Sequence, residues 1–157
     1  MLIGATGGGS NPFQPLQGVS FFSNHSTKSD NNVLKFTPVK GISGLNRALQ
    51  KASNSGQAVL LDFYADWCVS CKEMEDKTFT DPTVHKALQH VMLLRADVTA
   101  NDDDDQALLK RFGIFGPPSI MFFGQDGEER RAFRIVGYLS PQEFSAQVRQ
   151  ALNSRSL

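Results

Sequence analysis

The chain has 157 residues, 40% of them hydrophobic, enough for one domain with a real core and an appendage. Sixteen basic residues balance sixteen acidic ones, which excludes the basic stripe of a nucleic-acid binder and the polybasic tract that holds a protein on anionic lipid. Two cysteines are too few for a secreted scaffold stapled by disulfides; by themselves they lean toward a cytosolic redox protein, though composition leaves the compartment open.

Residues 1 to about 33 are rich in Gly, Ser and Asn, carry Pro12 and Pro15 and lack sustained periodicity, so they read as a flexible linker, leaving 34–157 as the folded domain. Met1-Leu2-Ile3 gives way at once to Gly4-Ala5-Thr6-Gly7-Gly8-Gly9, so no intact targeting or transmembrane segment is expected. The glycine run lacks the Lys-Ser/Thr of a phosphate loop. Phe13, Phe21 and Phe22 are more apolar than a free linker requires and suit capping the domain or packing on a partner. Asn24-His25-Ser26 matches a glycosylation sequon.

Leu34 to Val39 predicts an edge strand, and Ser43 reads as the N-cap of a helix bearing Leu45, Ala48, Leu49 and Ala52 on one face, ended by Asn54-Ser55-Gly56. Ala58 to Tyr64 is a continuous apolar run broken only by Asp62, as expected of a central strand buried on both faces. A turn then opens a helix on Trp67-Cys68-Val69-Ser70-Cys71 that continues from Lys72 to Lys77. Asp81-Pro82 supplies an N-cap and an N1 proline for a second helical segment through His90.

Val91 to Val98 is the next strand. Asn101 to Asp105 lacks the glycine and closing glutamate of a calcium loop, so its acids read as the start of a helix through Phe112. After the break at Gly113 to Pro118, a strand over Ser119 to Phe123, a turn at Gln125-Asp126-Gly127 and a partner strand over Arg131 to Tyr138 form a hairpin. Ser140-Pro141-Gln142-Glu143 carries the N-cap, N1 proline and capping-box glutamate of a last helix bearing Phe144, Val148 and Leu152.

Chemistry concentrates at Cys68 and Cys71. Two cysteines three apart on a first helical turn are close enough to bridge, and a redox dithiol is the leading reading. Half a zinc site would need two more ligands at comparable spacing; His25, His85 and His90 are scattered, and an intermolecular site would have to complete the tetrahedron. A purely structural bridge across so short a loop would stabilise the fold little. At the helix start, unpaired N–H groups favour a thiolate, which makes Cys68 the expected nucleophile and Cys71 the resolving thiol. No cofactor is expected beyond this redox-active pair.

The string Asp62-Phe63-Tyr64-Ala65-Asp66-Trp67-Cys68-Val69-Ser70-Cys71 resembles the thioredoxin superfamily. Together with Val98-Thr99-Ala100-Asn101-Asp102, it is similar to the C-terminal domain of the DsbD family of bacterial thiol:disulfide interchange proteins. The similarity runs from about Phe36 to the C-terminus. It implies an α/β thioredoxin fold, a central mixed sheet of four to five strands flanked by helices, and the order β-α-β-α-β-α-β-β-α read from periodicity agrees.

The resemblance also implies a protein-disulfide reductase that relays electrons from a membrane domain of a longer parent chain to its N-terminal domain, in the periplasm. An isolated domain of this kind is expected to be monomeric. A free thioredoxin, a cytochrome c maturation reductase, or a non-catalytic zinc or adaptor module are the alternatives.

Asp62 is placed by the resemblance beneath the cysteine pair, where burial raises its pKa and suits it to take the Cys71 proton. Glu75 lies four residues after Cys71, on the same helical face. In the DsbD family the acids at these two positions modulate the thiol. At about 7 Å and an effective dielectric of about 20, each ionised carboxylate disfavours a thiolate by about 2 kcal/mol, which outweighs the helix end and is expected to make Cys68 less acidic than a typical thioredoxin nucleophile. Pro118 corresponds to the proline that is cis in thioredoxin-like proteins. The residue before it pairs with the partner's backbone, and here it is Pro117, which has no N–H to give. Trp67 is expected to shield the site or to sit in the core.

Overall fold

A computed structural model describes residues 34–154. The expected linker over 1–33, with Phe13, Phe21, Phe22 and the sequon, lies outside the described residues. In chain order the elements are β1 (Thr37–Pro38), α1 (Gly41–Asn54), β2 (Ala58–Tyr64), α2 (Val69–Glu73), a π-helical turn (Met74–Thr78), α3 (Pro82–Ala87), β3 (Val91–Asp97), α4 (Asp103–Phe112), β4 (Ser119–Phe123), β5 (Ile135–Val136) and α5 (Pro141–Asn153).

β2 takes the centre of the sheet because its side chains are apolar on both faces apart from Asp62, and all seven of its residues are buried. It pairs parallel to β3 and antiparallel to β4, and the five strands run in the order β1-β3-β2-β4-β5. Pro38 lacks a ladder donor and is accommodated on the β1 edge.

Side-chain alternation divides the core into two layers. Val59, Leu61, Phe63, Met121 and Phe123 join Leu45 and Ala52 of α1 and Leu108 and Phe112 of α4. Leu60, Ile120 and Phe122 enter the opposite layer, where Met74, Phe79, Val84, Phe144 and Val148 cover the sheet. Asp62, two residues from Leu60, belongs to this second face. The result is the thioredoxin-like sandwich expected from sequence, with five strands.

Three local expectations are corrected. The first helix begins at Gly41, with Lys40 as an N-cap whose side chain accepts no bond from the helix backbone, so Ser43 lies inside the first turn. The reason is tertiary: the Lys40 ammonium reaches Asp102 at 2.7 Å and Asp105 at 2.6 Å, and Gly41 turns the chain with φ 67° against Asp104. The edge strand is confined to Thr37–Pro38 instead of spanning Leu34 to Val39.

The partner strand over Arg131 to Tyr138 is likewise reduced to Ile135–Val136, preceded by a 3-10 turn at Arg131–Phe133. Arg130 still donates its backbone N–H to the Phe122 carbonyl of β4, and the 3-10 turn that follows, with the Phe133 N–H on the Arg130 carbonyl, interrupts the ladder until Ile135. The Arg130 guanidinium donates to the carbonyls of Glu128 and Ser154 and to Asp126. Arg134 adds bonds to Glu129 and the Phe112 carbonyl.

The capping signals hold where the structure is local. Asp81 accepts from the Thr83 N–H, and Ser140 and Glu143 form the expected reciprocal box; Asp102 and Asp105 form a further box that the sequence had not singled out. The layer behind the second face depends on aromatic contact, with fully buried Phe144 edge-on to Phe79 at 5.5 Å. Phe144→Ala is expected to lower unfolding free energy by about 3–5 kcal/mol, read by urea denaturation. A loss under about 1 kcal/mol would mean that α5 contributes little to this layer.

Candidate active site

β2 delivers the chain to Ala65-Asp66-Trp67, and α2 starts immediately after. Cys68 is the N-cap, in extended conformation, and its Sγ accepts the Cys71 N–H at 3.1 Å. A disulfide joins Cys68 to Cys71, with Cα atoms 5.3 Å apart. Both residues are buried, at 6% and 4% exposure, so exposure does not distinguish them. Position does: the Cys68 sulfur stands where unpaired helix N–H groups point, whereas the Cys71 sulfur lies 4.0 Å from the Phe63 carbonyl.

Asp62 is buried on β2 directly opposite Arg95 of β3 in the parallel register. Arg95 Nε donates to Asp62 Oδ2 at 2.9 Å, Nη2 stands 2.9 Å from the same oxygen, and Nη1 donates to Glu75 Oε1 at 2.6 Å. Burial pushes the Asp62 carboxyl up to about 7, the Arg95 guanidinium opposes that rise, and the Glu75 charge adds to it. Glu75 lies in the π turn that extends α2, so the cysteine-bearing helix and the buried strand are joined through one cation. The two acids expected near the thiols are thus drawn together by a basic residue that sequence reasoning did not single out. A signal existed: Arg95 is the only charge inside the run from Val91 to Ala96, matching the lone Asp62 of the neighbouring strand.

Trp67 is exposed, with its indole N–H 3.4 Å from the Thr99 carbonyl, so of the two positions expected for it the core is ruled out. The Asp66 N–H donates to Thr99, and Lys72 bonds the Tyr64 hydroxyl, which raises the ammonium pKa. The Pro117–Pro118 peptide is cis, as expected. The Pro118 carbonyl accepts from Gly137, which ties this loop to β5. Around these segments Val69, Phe115 and Val136 expose apolar side chains, Phe115 completely.

Among the described residues no cluster of His, Cys, Asp or Glu has a metal-binding arrangement, and no helix is long and apolar enough to cross a membrane.

The raised Asp62 pKa carries a sign for stability. The folded state holds this proton up to about pH 7, whereas an unfolded aspartate releases it near 3.8. The associated stability is complete below the unfolded value and is lost as pH rises through the folded one. Asp62→Asn mimics the protonated form, so the oxidised variant is expected to gain on wild type progressively between about pH 4 and 8, by up to about 4 kcal/mol. Urea titrations across that range test it; parallel stability curves would refute a buried carboxyl titrating near neutrality.

Residues 45–152 match the family model described as a thioredoxin-like domain. The thiol:disulfide interchange protein DsbD of Ralstonia nicotianae is 48% identical over 153 residues, covering 98% of this chain and 25% of that protein. DsbD of Escherichia coli K12 is 46% identical over 136 residues, covering 87% of this chain and 24% of that protein. The chain therefore spans about a quarter of the length of these curated relatives. Among solved structures, the oxidised C-terminal domain of Neisseria meningitidis DsbD is similar with a TM-score of 0.63 at 35% identity, covering 73% of this chain and 99% of that one. A Thermus thermophilus thioredoxin, at 24% identity and a TM-score of 0.58, shares the fold. The chain belongs to the thioredoxin-like family, in the branch formed by the C-terminal domains of DsbD.

Proposed function

We propose that this domain relays electrons between two protein partners by dithiol-disulfide exchange at Cys68 and Cys71, as the C-terminal part of a longer protein of the bacterial envelope. The observation that carries the exchange chemistry is the bridged pair itself, with one sulfur capping the helix and the other one turn inside. In the electron-accepting half-reaction, a partner dithiol reduces the Cys68–Cys71 bond and leaves as a disulfide. In the donating half-reaction, the Cys68 thiolate attacks a partner disulfide, forming a mixed disulfide and releasing one partner thiolate.

Resolution then requires Cys71 to lose its proton and attack Cys68. The Cys68–Cys71 bond forms, the Cys68–partner bond breaks, and the second partner sulfur leaves as a thiolate. Two electrons have passed to the partner. Asp62 is the proton acceptor for Cys71, because a carboxyl titrating near neutrality both takes and returns a proton under working conditions. Glu75 acts on the same step through their shared Arg95.

The proposed direction, in keeping with the similarity to DsbD, has electrons arriving from cysteines of a membrane domain and leaving for an N-terminal domain on the periplasmic side. Trp67, Val69, Phe115 and Val136 are exposed apolar side chains suited to contact with a protein partner, and in this reading Pro117 and Pro118 meet the partner's backbone.

Cys71→Ser is expected to leave Cys68 forming a mixed disulfide that persists, detected as a stable adduct with a partner domain on a non-reducing gel. Capture by a Cys68→Ser variant and none by Cys71→Ser would reverse the roles.

Docking at Pro117 generates a second expectation. A proline offers its carbonyl and no N–H, so one backbone hydrogen bond to the partner, worth about 0.5 to 1.5 kcal/mol, is missing. In a Cys71→Ser background, Pro117→Leu is expected to tighten association with an isolated partner domain several-fold, measured calorimetrically. Equal or weaker binding by the Leu form would show that the partner makes no use of that donor.

A further inference from the structure

We propose that Arg95 is a positioning residue for the exchange reaction: its single guanidinium, divided between Asp62 and Glu75, keeps Asp62 able to accept the Cys71 proton at neutral pH. This rests on the reading of Asp62 as the acceptor and adds the group that makes it workable.

The geometry is specific. Two of the three guanidinium nitrogens converge on one oxygen of Asp62, and the third is committed to Glu75. The cation itself is held in place. Its carbon lies 4.2 Å from the centre of the Phe36 ring and 4.6 Å from that of Tyr64, and its side chain is only 18% exposed. Strand pairing aligns Arg95 with Asp62, while the π turn presents Glu75 from the helix that carries the cysteines.

The charge balance explains why a shared cation matters. A carboxyl as buried as Asp62 with no cation beside it stays protonated through neutrality and accepts nothing. An arginine committed to Asp62 alone would hold it ionised so firmly that a thiol proton would not transfer. Sharing the cation with Glu75 places Asp62 between these limits. The other groups packed around it do not supply the balance. Ile120, its neighbour on β4, is apolar; Tyr64 on β2 and Lys72 on α2 bond each other; Cys68 and Cys71 on α2 are the reacting groups.

Opposite shifts are expected from the two partners of Asp62. In the reduced protein, with aspartate carboxyl carbons labelled and followed by NMR against pH, Arg95→Gln raises the Asp62 midpoint by about one to three pH units. Glu75→Gln, which leaves Arg95 to Asp62 alone, lowers it by about one unit. Arg95→Lys keeps the charge without the fork and gives a midpoint between wild type and Arg95→Gln. It serves in place of Arg95→Gln if that variant does not fold.

The kinetic counterpart uses a thionitrobenzoate group attached to Cys68. Its release by Cys71 in a single turnover should show a pH limb that moves with the NMR midpoint and vanishes in Asp62→Asn. A midpoint that does not rise in folded Arg95→Gln or Arg95→Lys, or does not fall in Glu75→Gln, overturns the divided cation. A midpoint that moves while the kinetic limb stays fixed overturns instead the role of Asp62 in resolution, and with it the catalytic purpose of Arg95.

Discussion

One carboxylate in a strand buried along its whole length is the constraint on which this site depends. Asp62 interrupts β2, the strand that pairs on both sides, and little solvent reaches it to stabilise its charge. An isolated charge at such a place is expensive, and proteins either neutralise it or pair it. Here both happen in part. Burial lifts the carboxyl to about 7, and Arg95 from the neighbouring strand restrains the rise. The buried acid is therefore tolerated in a protonation state that changes within the working range of thiol chemistry.

The helix that carries the cysteines is fitted to that strand by a change of helical pitch. α2 is regular for only five residues before a π turn takes over at Met74–Thr78, closed by the Phe79 N–H bonding the Met74 carbonyl. The wider turn puts Met74 into the core and Thr78 against the Leu139 carbonyl at 2.7 Å, while Glu75 faces Arg95. Such turns are frequent at functional sites because one extra residue re-aims the side chains that follow. The cysteine pair, the buried acid and the segment entering α5 are thus coupled through a single irregular turn.

Arg95 also alters the charge balance at the thiols. Two carboxylates without a partner would oppose a thiolate at Cys68, yet the structure binds both to one cation, so the net charge of the three groups is smaller than that of the two acids alone. Trp67, Val69 and Phe115, by contrast, expose their apolar side chains to solvent.

Sequence by itself determined whatever is set by neighbours along the chain. The Cys68–Cys71 spacing, the apolar run of β2, the caps at Asp81 and Ser140 and the proline pair at 117–118 are legible because each depends on residues within one turn or one strand. Tertiary structure decided the rest. Ser43 lost the N-cap role because Lys40 is drawn to acids more than sixty residues away, and the Arg131 to Tyr138 strand shrank because a 3-10 turn at Arg131–Phe133 interrupts its pairing with β4. Arg95 was invisible as a site residue for the same reason, since its meaning comes from the parallel register that sets it opposite Asp62 and from the π turn that brings Glu75 within reach. Local periodicity fixes which face a residue occupies, but the partner across that face is chosen by strand order and packing, which no short stretch of chain contains.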